Sequence, residues 1–122
     1  MNHQTTNDNL HVEFRLDHCT LSPERLQYMA DEELKLLPRL AQAQKFDTLH
    51  VDIHKHPHKN DYHIKMSLRV GSRVLFTGER HAELMPAFRA SVSQMVNKLR
   101  ENRDKKIARA ERSRDRDLLP VE

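Results

Sequence analysis

Tyr62-His63-Ile64-Lys65-Met66-Ser67-Leu68-Arg69-Val70 is the stretch that decides the fold. Tyr62, Ile64, Met66, Leu68 and Val70 take alternate positions, with His63, Lys65, Ser67 and Arg69 between them, which is the period of a strand that buries one face. Gly71-Ser72 then predicts a two-residue hairpin with glycine at the first central position, leading into a further strand from Arg73 to about Thr77. Upstream, Leu49, Val51 and Ile53 alternate with His50, Asp52, His54 and His56, and the turn formers of His56-Pro57-His58-Lys59-Asn60-Asp61 join the two strands. Three consecutive strands predict an antiparallel meander.

Further out, Leu10, Val12, Phe14 and Leu16 alternate with His11, Glu13, Arg15 and Asp17 and predict a half-buried strand. Ser22-Pro23-Glu24 supplies a cap, a proline at the first helical position and a carboxylate at the positive end of the helix dipole. Leu26, Met29, Ala30, Leu34 and Leu37 continue as a helical stripe until Pro38 forces an end or a kink. From Glu83 the period is helical again, with Phe88, Val92, Met95, Val96 and Leu99 on one side and Pro86 in the first turn. Beyond Leu99 the stripe nearly stops, so the helix is expected to run past the core as a charged extension. The expected architecture is α+β, in the order β-α-β-β-β-α, with a four-stranded sheet and two helices packed on one face. The domain should span residues 10–108, between a disordered N-terminus (1–9) and a basic, disordered tail (109–122).

With 37% hydrophobic and 32% charged residues over 122 positions, the chain has enough apolar content for one modest core. Its net charge of +3 is unevenly placed: residues 1–60 carry −2 and residues 61–122 carry +5. A basic second half points to a polyanionic partner. The single Cys19 excludes an intramolecular disulfide and a Cys-based zinc framework, which favours a reducing cytoplasm. The polar Met1–Asn9 stretch has no apolar run of the signal-peptide kind, and no membrane span is expected. Gly71 and Gly78 are the only glycines, so no phosphate loop exists, and no Ser or Cys sits in a nucleophile motif. An enzyme, a small-molecule substrate and a cofactor are therefore not expected.

The strongest chemical signal lies between Lys98 and Arg116. Lys98, Arg100, Arg103, Lys105, Lys106, Arg109, Arg112, Arg114 and Arg116 stand against Glu101, Asp104, Glu111 and Asp115, more cations than local pairing can absorb. Clustered cations are what a phosphate backbone needs. The same run would serve equally as a solvated helix end laced with weak ion pairs. A second group, His50, His54, His56, His58 and His63, could be read as a metal-binding or metal-sensing module. Alternate strand residues lie about 6.5 to 7 Å apart, so two of them reach one ion only with a bent backbone, and a native metal site is not expected. A polar outer face is the blander reading, and imidazoles beside Lys55, Lys59, Lys65 and Arg69 could also meet RNA. Phe14, Tyr62 and Phe76 are all assigned to the apolar face, which would leave the open face without a ring for base stacking.

The run His54-Lys55-His56-Pro57-His58-Lys59-Asn60-Asp61-Tyr62-His63-Ile64 leading into an alternating strand, and Met95-Val96-Asn97-Lys98-Leu99 in a basic last helix, resemble the ribosome hibernation promoting factor family, also called ribosome-associated inhibitor or sigma-54 modulation proteins. The resemblance covers roughly residues 10 to 108. It implies a β-α-β-β-β-α domain on the small ribosomal subunit near the decoding region, blocking translation in resting or stressed cells. It also implies that Leu99 packs inward and Lys98 faces RNA, and that Lys105 is a further basic contact. Arg100, Arg103, Lys106 and Arg109 extend that set by charge and spacing, with Lys55 and Lys59 beside the His-rich turn. Without the additional domain of long family members, a monomer that does not pair ribosomes is expected. A protein-interaction domain regulating transcription is the remaining rival.

Overall fold

The computed structural model describes residues 2–7, 10–41 and 46–118, with side chains described over 2–6, 10–39 and 48–103. Its elements are β1 (Asn2–Asn7), β2 (Leu10–Asp17), α1 (Pro23–Tyr28), a π-helical turn (Met29–Glu33), α2 (Leu36–Ala41), β3 (Phe46–His56), β4 (Asp61–Val70), β5 (Arg73–His81) and α3 (Leu84–Leu118). The strands form one sheet in sequence order, with β2 and β3 parallel and every other pair antiparallel. The architecture is α+β, with helices packed on a five-stranded mixed sheet.

The fifth strand corrects the expected four-stranded β-α-β-β-β-α order and, over residues 2–7, the expected disorder of the N-terminus. β1 is wholly polar, so no hydrophobic alternation marks it. It is held instead by its ladder with β2, from Asn2 opposite Arg15 to Asn7 opposite Leu10. Side chains add to that, since Gln4 donates to Glu13 at 2.8 Å and Thr5 donates to Gln27 on α1. A strand at a sheet edge needs a hydrogen-bonding neighbour more than it needs an apolar face.

The helical layer begins as read. The Arg25 N–H donates to Ser22 Oγ at 3.2 Å, with Pro23 in the first turn. The break ahead of Pro38 falls at Leu34, because proline cannot donate to the Leu34 carbonyl and crowds it. That carbonyl accepts the Leu37 N–H at 3.0 Å instead, and a new helix starts at Leu36 with buried Pro38 in its first turn.

Leu10, Val12, Phe14, Leu49, Val51, Ile53, Ile64, Met66 and Leu68 meet Leu26, Met29, Leu34, Leu37, Phe88, Met95 and Leu99 in one core, each at most 1% exposed. On α3 the buried stripe runs from Leu84 to Leu99 and ends on Asn102. The helix itself continues to Leu118, past residue 108 where the sequence suggested that the domain ends. At 1.5 Å per residue its 35 residues measure about 52 Å, against about 30 Å for the 9 residues of β5 beneath it. The end of α3 therefore outruns the sheet. Among the described residues no helix is long and apolar enough to cross a membrane.

Candidate nucleic-acid interface

Three polar side chains, roughly one turn apart, fix α3 over the last two strands. Buried Ser91 donates to the Ile64 carbonyl at 3.4 Å, Gln94 donates to the Glu79 carboxylate, and the Lys98 ammonium donates to the Phe76 carbonyl. Lys98 is exposed, as a nucleic-acid contact requires, yet its charge already rests on the rim of β5. Leu99 is fully buried. Arg100 and Arg103 are exposed on the turn that follows. Lys105, Lys106 and Arg109 belong to the same helix, but their side chains lie outside the described residues.

The other two predicted cations are elsewhere. Lys59 is exposed in the β3–β4 turn, and the Lys55 ammonium lies 5.6 Å from the centre of the Tyr62 ring, a cation–π contact. That turn sits beside the start of α3, since Tyr62 pairs with His81 just before it. Lys98 is 14 residues further along the helix than Leu84, about 21 Å at the helical rise. The eight predicted residues therefore make two separate groups.

Carboxylates sharpen the separation. Glu24, Asp31, Glu32 and Glu33 of the first helical segment outnumber Arg25, Lys35 and Arg39 there, and Glu33 takes the guanidinium of Arg89 at 3.1 Å. That pairing raises the pKa of Arg89. Positive charge thus grows along α3 toward its projecting end.

The uncovered face of the sheet carries Lys65 and Arg69, which the sequence set beside the histidines, together with Arg15 and Arg80, which it did not single out. Arg15, Lys65, Arg69 and Arg80 all point outward, at the polar positions of the alternation. Two acids of that face are held by histidines: His50 lies 2.9 Å from Glu13, and His54 2.9 Å from Asp17. The hydrogen bond to His54 holds the Asp17 carboxyl below the usual carboxylate range. Burial lowers the pKa of His63, and Arg80 and Lys65 add to the effect.

His54 has its ring 5.4 Å from His18 and 5.0 Å from His56, both edge to face. Among the described residues no three His, Cys, Asp or Glu side chains come together as a metal-ligand set. The half-buried Cys19 thiol donates to the Ile53 carbonyl at 3.7 Å, and burial pushes its pKa up, away from a reactive thiolate.

One assignment from the sequence is reversed. Phe76 does not join the apolar face; it stands on the open one, 61% exposed. The two-residue turn pairs Val70 with Arg73, and this register sends Val74, Phe76, Gly78 and Arg80 outward.

No protein-family model and no curated protein sequence matches this chain. Solved structures do. The N-terminal domain of Thermus thermophilus Protein Y superposes with a TM-score of 0.62 at 12% identity, over 79% of this chain and 98% of that one. This chain has the Protein Y N-terminal domain fold. A ribosomal subunit interface protein from Coxiella burnetii matches with a TM-score of 0.53 at 7% identity, over 75% and 97% of the two chains. Nearly the whole Protein Y domain is reproduced in backbone path with few shared side chains. What this surface binds must therefore be argued from its own residues.

Proposed function

We propose that this protein is a non-catalytic, ribosome-associated factor of the hibernation type. It binds the small subunit near the decoding region as a cytoplasmic monomer, excludes mRNA and transfer RNA by occupying their place, and so keeps ribosomes idle in resting or stressed cells. The observation that carries this reading is the last helix. It is anchored through Leu99 and Asn102, then extends beyond the sheet with Arg100 and Arg103 exposed at its base. Support also comes from the shared fold, since one structural neighbour is itself a ribosomal subunit interface protein.

The mechanism asks little of chemistry. Guanidinium and ammonium groups on the projecting helix displace counterions from ribosomal RNA phosphates, and the rigid domain behind them fills the space. Arg100, Arg103, Lys105, Lys106 and Arg109 are the proposed contacts, and Lys98 chiefly holds the helix to the sheet. Lys55 and Lys59, about 20 Å away along the helix, would touch a second stretch of RNA.

Sedimentation through sucrose gradients tests the reading. The wild type should travel with the small subunit. The Arg100→Glu, Arg103→Glu, Lys105→Glu triple variant should be released, with the salt slope of binding reduced by about 2 to 3 log units for the three contacts. Equal co-sedimentation of the two proteins overturns the assignment.

A further inference from the structure

The displaced register of β5 leaves one large ring in solvent, and its surroundings define what can sit on it. Phe76 is 61% exposed and Val74, two residues before it, 40%. Ser67 lies directly across from Phe76 on β4, with Lys65 and Arg69 at the two diagonals. Gly78, the next outward position on β5, has no side chain, so the strip beyond Phe76 is open down to the backbone. A Cβ there would meet nothing nearer than His63 Nε2 at 3.7 Å. His50, Asp52, His63, Lys65, Phe76 and Gly78 are among the residues that line a shallow hollow at this place, with Asp52 opposite Lys65. Arg80 follows on the same face of β5, opposite His63.

We propose that the open sheet face over β4 and β5 binds single-stranded RNA, with a base stacked on Phe76 and the neighbouring phosphates held by Lys65, Arg69 and Arg80. A flat ring beside a glycine gap suits an unpaired base, because stacking needs an accessible π face with room alongside it. Charge selects the same ligand. Lys65, Arg69 and Arg80 form no ion pair among the described residues, and the only carboxylate on the open face of these two strands is Asp61, at the turn end. Glu13 and Asp17, on the β2 side, are engaged by His50 and His54, and Asp52 faces Lys65 across β3 and β4. A polyanion is thus steered along β4 and β5. A second copy is the poorer occupant, since a two-fold contact through this face would set Lys65, Arg69 and Arg80 against the same residues of its partner.

The site lies across the sheet from α3 and does not depend on ribosome binding. Fluorescence anisotropy with a labelled ten-nucleotide oligoadenylate tests it. Phe76→Ala removes an exposed ring, so the fold is kept. It should weaken binding about 5- to 150-fold, the range that 1 to 3 kcal/mol of stacking per base implies. A duplex of the same length should bind the wild type and Phe76→Ala alike. Phe76→Trp should retain affinity and, because the chain has no other tryptophan, give a single emission that quenches with the oligonucleotide and not with inorganic polyphosphate. The Phe76→Ala factor should persist in the Arg100→Glu, Arg103→Glu, Lys105→Glu background. Failure of the ribosome reading would then leave this result standing, and the converse holds too. Equal oligonucleotide affinity of wild type and Phe76→Ala overturns the proposal. So does an unquenched Trp emission in the bound state, or a wild-type dimer that Phe76→Ala converts to a monomer.

Discussion

β4 and β5 are hairpin partners of 10 and 9 residues, yet β4 buries an apolar row and β5 a mixed one in which Leu75 is the only apolar member. β4 turns Ile64, Met66, Leu68 and Val70 into the core and its polar residues outward, as its alternation requires. β5 turns Arg73, Leu75, Thr77 and Glu79 toward the helices and leaves Val74 and Phe76 in solvent. Both follow from one turn. Once Gly71-Ser72 closes with Val70 opposite Arg73, each residue of β5 takes its face from its partner on β4. A strand whose own pattern is weak is placed by its neighbour, and its misplaced apolar residues become surface.

The contrast should be measurable, and its largest expression is in stability. Met66→Ala, at a fully packed position, should cost about 2 to 5 kcal/mol, whereas Phe76→Ala should stay within about 0.5 kcal/mol, both read from urea unfolding midpoints. Comparable losses at the two positions would mean that Phe76 is packed after all. Next is the turn that sets the register. Gly71 has φ +61° with open space around its Cβ direction, so Gly71→Val should cost about 1 to 2 kcal/mol through the backbone alone. Gly71→Asn should lose less, because asparagine tolerates the left-handed region. A neutral Gly71→Val would show that the turn does not hold the two strands in phase.

The smallest effect is on acidification. His63 has a lowered pKa in the folded state, so the unfolded chain binds its proton first. Stability from this group is full above the ordinary imidazole value of about 6.5 and is lost as pH falls from there through the folded value. His63→Gln should flatten the part of the stability profile that falls away below about pH 6.5. An unchanged acid limb would place the titration elsewhere.

Where burial and period agreed, the fold was legible. β2, β3, β4, α1 and the first half of α3 stand where Leu10, Leu49, Ile64, Ser22 and Phe88 put them. β1 was not legible, because Asn2–Asn7 contains nothing apolar and its order comes from hydrogen bonds to β2. Phe76 was misread for the reason given above, since counting from Tyr62 across a hairpin assumes that both strands bury their hydrophobic residues. At the basic helix, sequence gave the charges and the buried Leu99, but not that Lys98 is occupied by a backbone carbonyl or that Lys55 and Lys59 stand apart from it. Those are facts of distance, which a linear pattern does not contain.

Lys98 also bears on how the free edge of the sheet is protected. β5 is a rim strand, and an unoccupied row of amides and carbonyls there would accept a strand from another molecule. The ammonium on the Phe76 carbonyl blocks that growth point within the chain itself.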